Sequence, residues 1–166
     1  MSKTGYSSTQ IRLHWLLAVM VLVQFIFHDG VHNLGGLIQR GEEPSILDVI
    51  WGQSHIVLGL LIFVMAAIRL SVRLKQKVPP PPQAENAVLK ITAKLTHFML
   101  YTILLVMPIS GSVAWFGHVE LAAKGHEFGK GLLLAFLFLH VVGALYQQFV
   151  LKTDVLKRMV KPENKF

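Results

Sequence analysis

Apolar residues fall into four long blocks separated by polar stretches. The first runs from Ile11 to Phe27 (IRLHWLLAVMVLVQFIF), interrupted by Arg12, His14 and Gln24, and can continue through His28–Asn33. The second runs through WGQSHIVLGLLIFVMAAIRLSVRL, the third is LTHFMLYTILLVMPISGSVAWF, and the fourth opens on HEFGKGLLLAFLFLH. A helix of about 20 apolar residues crosses a bilayer. The blocks therefore predict spans at residues 11–30, 47–74, 95–116 and 126–151. The expected architecture is an all-α membrane protein, a four-transmembrane-helix bundle forming a single domain over residues 1–166, with no room for a separate soluble domain.

The polar stretches predict the connections. Ser2–Gln10 reads as a leader, Gly30–Asp48 as a Gly-rich loop with Pro44, and Gly117–Gly125 as a short loop holding His118. Lys75–Lys94 reads as a linker whose proline run, Pro79–Pro82, is stiff and extended and cannot be helix interior. Pro108 and Gly111 predict a kink inside the third span, which a bundle tolerates when neighbours re-satisfy the freed carbonyl. The tail from Lys152 is basic and polar.

Composition agrees: 53% of residues are hydrophobic, 15% are charged, and the mean hydropathy is +0.53. In a soluble protein a net charge of +7 would suggest nucleic acid, but here its distribution matters more. Arg12 in the first stretch, Arg69 and Arg73 closing the second block, Lys75, Lys77, Lys90 and Lys94 against Glu85 in the linker, and Lys152, Lys157, Arg158, Lys161 and Lys165 in the tail all belong to one side. The other loops are neutral to acidic, with Asp29, Glu42, Glu43 and Asp48 against Arg40. Positive charge stays on the cytoplasmic side, so both termini are expected in the cytoplasm. No cleavable signal peptide is expected, because the first apolar block is long enough to span and no A-x-A-like site follows it.

Without cysteine, disulfides, iron–sulfur clusters, thiolate-ligated haem and covalent haem attachment are excluded, and a bound metal must use His, Met or oxygen ligands. Eight histidines are available. His126 and His140 are fourteen steps apart in one block, which on a helix is about 21 Å of rise and roughly 40° short of whole turns, so both face the same way. His14 and His28, and His55 and Arg69, repeat that interval.

Topology converts these positions into heights. His14, His97 and His140 fall at the inner level; His55 and His126 fall at the outer level, with His28 within reach, while His32 and His118 are expected in loops. Each level can supply two neutral imidazoles from facing helices, as a bis-histidine haem requires. A binuclear metal site would need carboxylates among the histidines, and the blocks hold almost none, with Glu127 and Asp48 at their ends; a transporter would need a polar site near the midplane, where nothing charged sits. Haem ligation is the better reading, with interhelical hydrogen-bonding histidines as the alternative.

Gln10-Ile11-x-x-His14-Trp15, His55 with Arg69-Leu70, His97-x-x-x-Tyr101 with Pro108-x-x-Gly111, His126-Glu127 with His140, and the tail Lys152-x-Asp154 with Leu156-x-Arg158-Met159 occur in that order through the four blocks. In this the chain resembles the bacterial cytochrome b561 family, small relatives of the b-type subunits of membrane hydrogenases and formate dehydrogenases. The resemblance implies two b haems, with His55 and His126 as axial ligands of the outer iron and His14 and His140 of the inner one. It also implies Arg69 and Arg73 as partners of the inner propionates or, equally, as topology-setting charges; His97 as a propionate, quinone or proton-site residue or a packing histidine; and His28 as a rim residue. Exchange with ubiquinone follows, and for some members oxidation of superoxide at the outer face. An electron-transferring anchor subunit for a periplasmic dehydrogenase is the alternative. The chain departs from several relatives at Gln147-Gln148, where they carry a His-His pair.

Overall fold

The computed structural model describes residues 5–81 and 87–162. Ser2–Thr4 of the leader, Pro82 of the proline run, Glu85 and Lys165 lie outside the described residues. Six α-helices follow in order: α1 Ser8–Ile26, α2 His28–Gln39, α3 Ile46–Gln76, α4 Ala87–Gly117, α5 Glu120–Leu145, which continues into a π turn at Tyr146–Val150, and α6 Val155–Arg158. No strand occurs among the described residues. Among the described residues, four helices are long and apolar enough to cross a membrane: Ser8–Ile26, Ile46–Gln76, Ala87–Gly117 and Glu120–Val150.

Local chemistry sets their ends. Ser7 caps α1 in a reciprocal pairing with Gln10, and Ser45 caps α3 in the same way with Asp48. Each pairing satisfies amide hydrogens that a helix start leaves free. The expected loop at 30–48 is largely helical: α2 begins directly after α1, with Asp29 complementing the dipole of its first turn. It ends in a Schellman motif, Glu42 N to Leu37 O at 3.0 Å and Gly41 N to Ile38 O at 3.1 Å, with Gly41 at φ +69. His32, expected in a loop, therefore stands on a helix, whereas His118 lies between α4 and α5. The linker is shorter than expected because α4 already begins at Ala87.

The four long helices run up and down. Gln10 of α1 donates to the Lys77 carbonyl just past α3, and at the other end of the pair Gln24 donates to the His55 carbonyl, both at 2.9 Å. α2 lies over the start of α3, with Leu34, only 2% exposed, packed against Gly52. Between the two ends of the bundle, Leu17, Val21, Ile62, Ala66, Ile103 and Leu133 form one packed cluster from all four long helices. Large apolar side chains such as Leu22, Phe98, Phe138 and Phe149 point outward. A surface so apolar is suited to lipid. α5 follows α4 closely, but its backbone makes no close approach to α1 or α3 among the described residues. The histidines occupy the space on either side of the packed cluster.

Gln147 and Gln148 terminate the last span. Thr153 Oγ1 donates to the Gln147 carbonyl and to its Oε1, and the Leu156 amide donates to Gln148 Oε1. The π turn that contains both amides turns the chain into α6. Trp15 Nε1 then donates to the Met159 carbonyl at 2.8 Å and ties the tail to α1.

Candidate functional site

At the end of the bundle carrying Arg69 and Arg73, three helices bring histidines together. The ring centres of His14 (α1) and His140 (α5) are 6.1 Å apart, and His97 (α4) lies 5.1 Å from His140 on the other side. His97 Nδ1 donates to the Ala93 carbonyl at 2.7 Å, one turn back on its own helix, and this fixes its ring. Arg69 Nη2 donates to His14 Nδ1 at 2.9 Å, so a neutral His14 carries its own proton on Nε2. The Arg69 and Arg73 guanidinium carbons stand 5.2 and 5.8 Å from the Tyr101 ring centre, within cation–π range. The Tyr101 hydroxyl is buried and has no hydrogen-bond partner.

At the α2 end, the ring centres of His55 (α3) and His126 (α5) are 6.3 Å apart. His126 is held from α4: its Nδ1 donates to the Met107 carbonyl at 2.9 Å, with Ser110 Oγ 3.3 Å away. The ring can lie there because residue 111 is glycine; a Cβ would come within 2.9 Å of His126 Cε1 and 3.1 Å of Nδ1. The sequence suggests only a kink at Pro108 and Gly111, whereas the fold also uses Gly111 as a seat for an imidazole. On the opposite side, Gln24 holds the His55 backbone, yet Gln24 Oε1 and His55 Nδ1 are both buried without partners.

These spacings can be tested against a metal held between rings. A metal sits about 2 Å from an imidazole nitrogen, and bonds of about 1.35 Å put the ring centre roughly 1.1 Å behind it, so coaxial rings stand about 6.3 Å apart. The His14–His140 and His55–His126 separations, 6.1 and 6.3 Å, fit an ion between each pair. The tilts between ring planes, 70° and 74°, leave both rings free to contain the ligand axis. Between the two rings of each pair the donors are imidazole nitrogens, a set that suits haem iron.

His28, expected at the rim, stands 6.1 Å from His55 and 4.7 Å from His32. Lys130 Nζ donates to His28 Nε2 at 3.0 Å and pairs with Glu127. Partial burial, followed by the Lys130 ammonium, lowers the His28 pKa and keeps that ring neutral. Gln24, Met107, Ser110 and Lys130 are the neighbours that sequence reasoning does not assign. Gln24 and Lys130 do leave a trace, as polar residues inside apolar blocks.

The sequence profile described as prokaryotic cytochrome b561 matches residues 5–162. A protein named cytochrome b562 from Cereibacter sphaeroides is 31% identical over 158 residues, covering 95% of this chain and 96% of its own length. A protein named probable superoxide oxidase CybB from Yersinia pestis is 26% identical over 176 residues, covering 93% and 95%.

Proposed function

Because the chain belongs to the prokaryotic cytochrome b561 family, a multi-pass membrane cytochrome, we propose that it binds two b haems and carries electrons across the bacterial inner membrane. The observation that carries this reading is the pair of histidine sets at opposite ends of the bundle, His14 with His140 and His55 with His126, each spaced for one iron. When bound, haem supplies one-electron redox chemistry; the chain sets its height, its access and its electrostatic surroundings. His126 and His140 are fourteen residues apart on one helix, a rise of about 21 Å, and would hold two irons at well-separated heights.

The chain's residues have distinct roles in this reading. Met107 and Ser110 orient His126, and Nδ1–H donation to the Met107 carbonyl leaves Nε2 free as the ligand. His14 would ligate through Nε2 with its proton on Nδ1, which would release Arg69 from that nitrogen and leave its guanidinium available to a propionate. Arg73 lies beside it over the same Tyr101 ring. His97 flanks His140 and, with Nδ1 held by the Ala93 carbonyl, would offer Nε2 to a propionate or a quinone rather than to the iron. The basic end faces the cytoplasm, as the positive-inside rule requires.

Ubiquinone is the proposed acceptor. The relative named a probable superoxide oxidase favours superoxide as donor: two superoxide anions each lose one electron and leave as O2, and the quinone takes up two electrons and two protons. Copurification of a periplasmic dehydrogenase would favour the anchor-subunit reading instead. Haem per chain tests the core of the proposal. Wild type is expected to hold two, and His126→Ala and His140→Ala about one each, with loss of different components of a split α band. Unchanged haem content in both variants would overturn the ligand assignment.

A further inference from the structure

A second group of metal-capable side chains stands beside the His55–His126 pair and is not used by it. His28 and His32 are one turn apart on α2, with ring centres 4.7 Å apart, and Glu127 reaches them from α5. One nitrogen from each ring and one carboxylate oxygen all lie within 4.8 Å of one another. In a tetrahedral zinc site, ligands 2.0–2.1 Å from the ion are separated by about 3.4 Å, so only a small side-chain movement closes this set. His32 and Glu127 are exposed and can make that movement, and the ion can enter from water. Two histidines at i and i+4 with a carboxylate from another helix are a borderline-metal donor set that leaves a fourth position open.

A cation already occupies the cluster. Lys130 Nζ donates to His28 Nε2 at 3.0 Å and pairs with Glu127, so the His28 lone pair and the carboxylate converge on one positive charge. His28 therefore holds its proton on Nδ1 and presents the unprotonated nitrogen that a metal needs. The simpler account is an exposed i,i+3 ion pair beside a histidine, which requires no metal. The two accounts differ in what Lys130 does: in one it completes the cluster, in the other it competes for it.

We infer that His28, His32 and Glu127 form a divalent-cation site of the zinc type, in which the metal displaces the Lys130 ammonium. Its position gives it a function. His28 stands 6.1 Å from His55, so a bound dication adds positive charge at the edge of the α2-end pair. It would raise the potential of a redox group held there and close the approach from that side; this consequence rests on the haem reading, whereas the binding does not.

The test uses the purified full-length chain in detergent, stripped with a chelator and titrated with Zn2+ alone by calorimetry. One ion per chain is expected in wild type. His32→Ala and Glu127→Gln, both at exposed positions, should weaken binding at least tenfold with the visible spectrum unchanged. Lys130→Met should tighten it several-fold, because the competing ammonium is gone. Wild-type affinity in His32→Ala and Glu127→Gln, or no gain in Lys130→Met, would overturn the site. Zinc binding is independent of haem content, so it can fail while two haems remain, and the converse also holds.

Discussion

Gln24 and His55 meet near the α2 end with complementary deficits. The Gln24 amide nitrogen donates to the His55 carbonyl at 2.9 Å, while Gln24 Oε1 lacks a donor and His55 Nδ1 lacks an acceptor. On the other side of the gap, His126 has its Nδ1 anchored to a carbonyl. A metal-bound histidine is oriented by the hydrogen bond of its second nitrogen, and loss of such a partner costs about 10–100-fold in metal affinity. Gln24, already bonded to the His55 backbone and carrying an unpartnered buried oxygen, is predicted to supply that bond when a metal is held. Gln24→Leu is therefore expected to weaken haem retention at the α2 end by that factor and leave the basic end full, as read by haem per chain during dilution.

Gly111→Ala tests the seat of His126. The added methyl would press on the ring at 2.9 Å and displace it from the Met107 carbonyl that orients it. The α2-end haem should be lost while helical content, followed by circular dichroism, stays at wild type. Full two-haem occupancy in this variant would show that His126 ligates from another position.

Arg69→Gln removes the positive charge beside His14 and the proposed partner of the propionates. Without it, the oxidised iron is favoured, so the midpoint potential of the basic-end haem should fall while that of the other holds. A potentiometric titration in which both components shift equally would instead assign Arg69 to topology.

Leu17→Ala opens a cavity in the packed cluster that separates the two histidine sites. Leu17 is 3% exposed, and such truncations cost about 2–5 kcal/mol. A lower unfolding temperature in detergent is expected, with the haem-to-chain ratio of the surviving protein unchanged. A selective loss of one haem would mean that the cluster positions a ligand as well as the fold.

The spans were legible because a bilayer imposes a length and a polarity on each crossing, and the apolar blocks carry both directly. Their ends were less so: α2 reads as a loop by its glycines, yet Asp29 complements the dipole of its first turn and Gly41 closes its last one. The histidine heights were legible through the fourteen-residue interval, because helix rise converts sequence distance into depth. His14 with His140 and His55 with His126 come together as those heights require.

The sequence by itself determined the four long apolar helices and which of the paired histidines share an end of the bundle, and its lack of cysteine excludes thiolate ligands. Only the tertiary structure decided which atoms orient those histidines. Gln24, Met107 and Lys130 act across helix interfaces, and their partners lie 31, 19 and 102 residues away in the chain. The rotation of each helix about its own axis selects such partners, and that rotation is set by packing of all four spans at once. The single repeat of one helix cannot specify it. The same packing gave Gly111 its second role, and it set His28, His32 and Glu127 around the Lys130 ammonium.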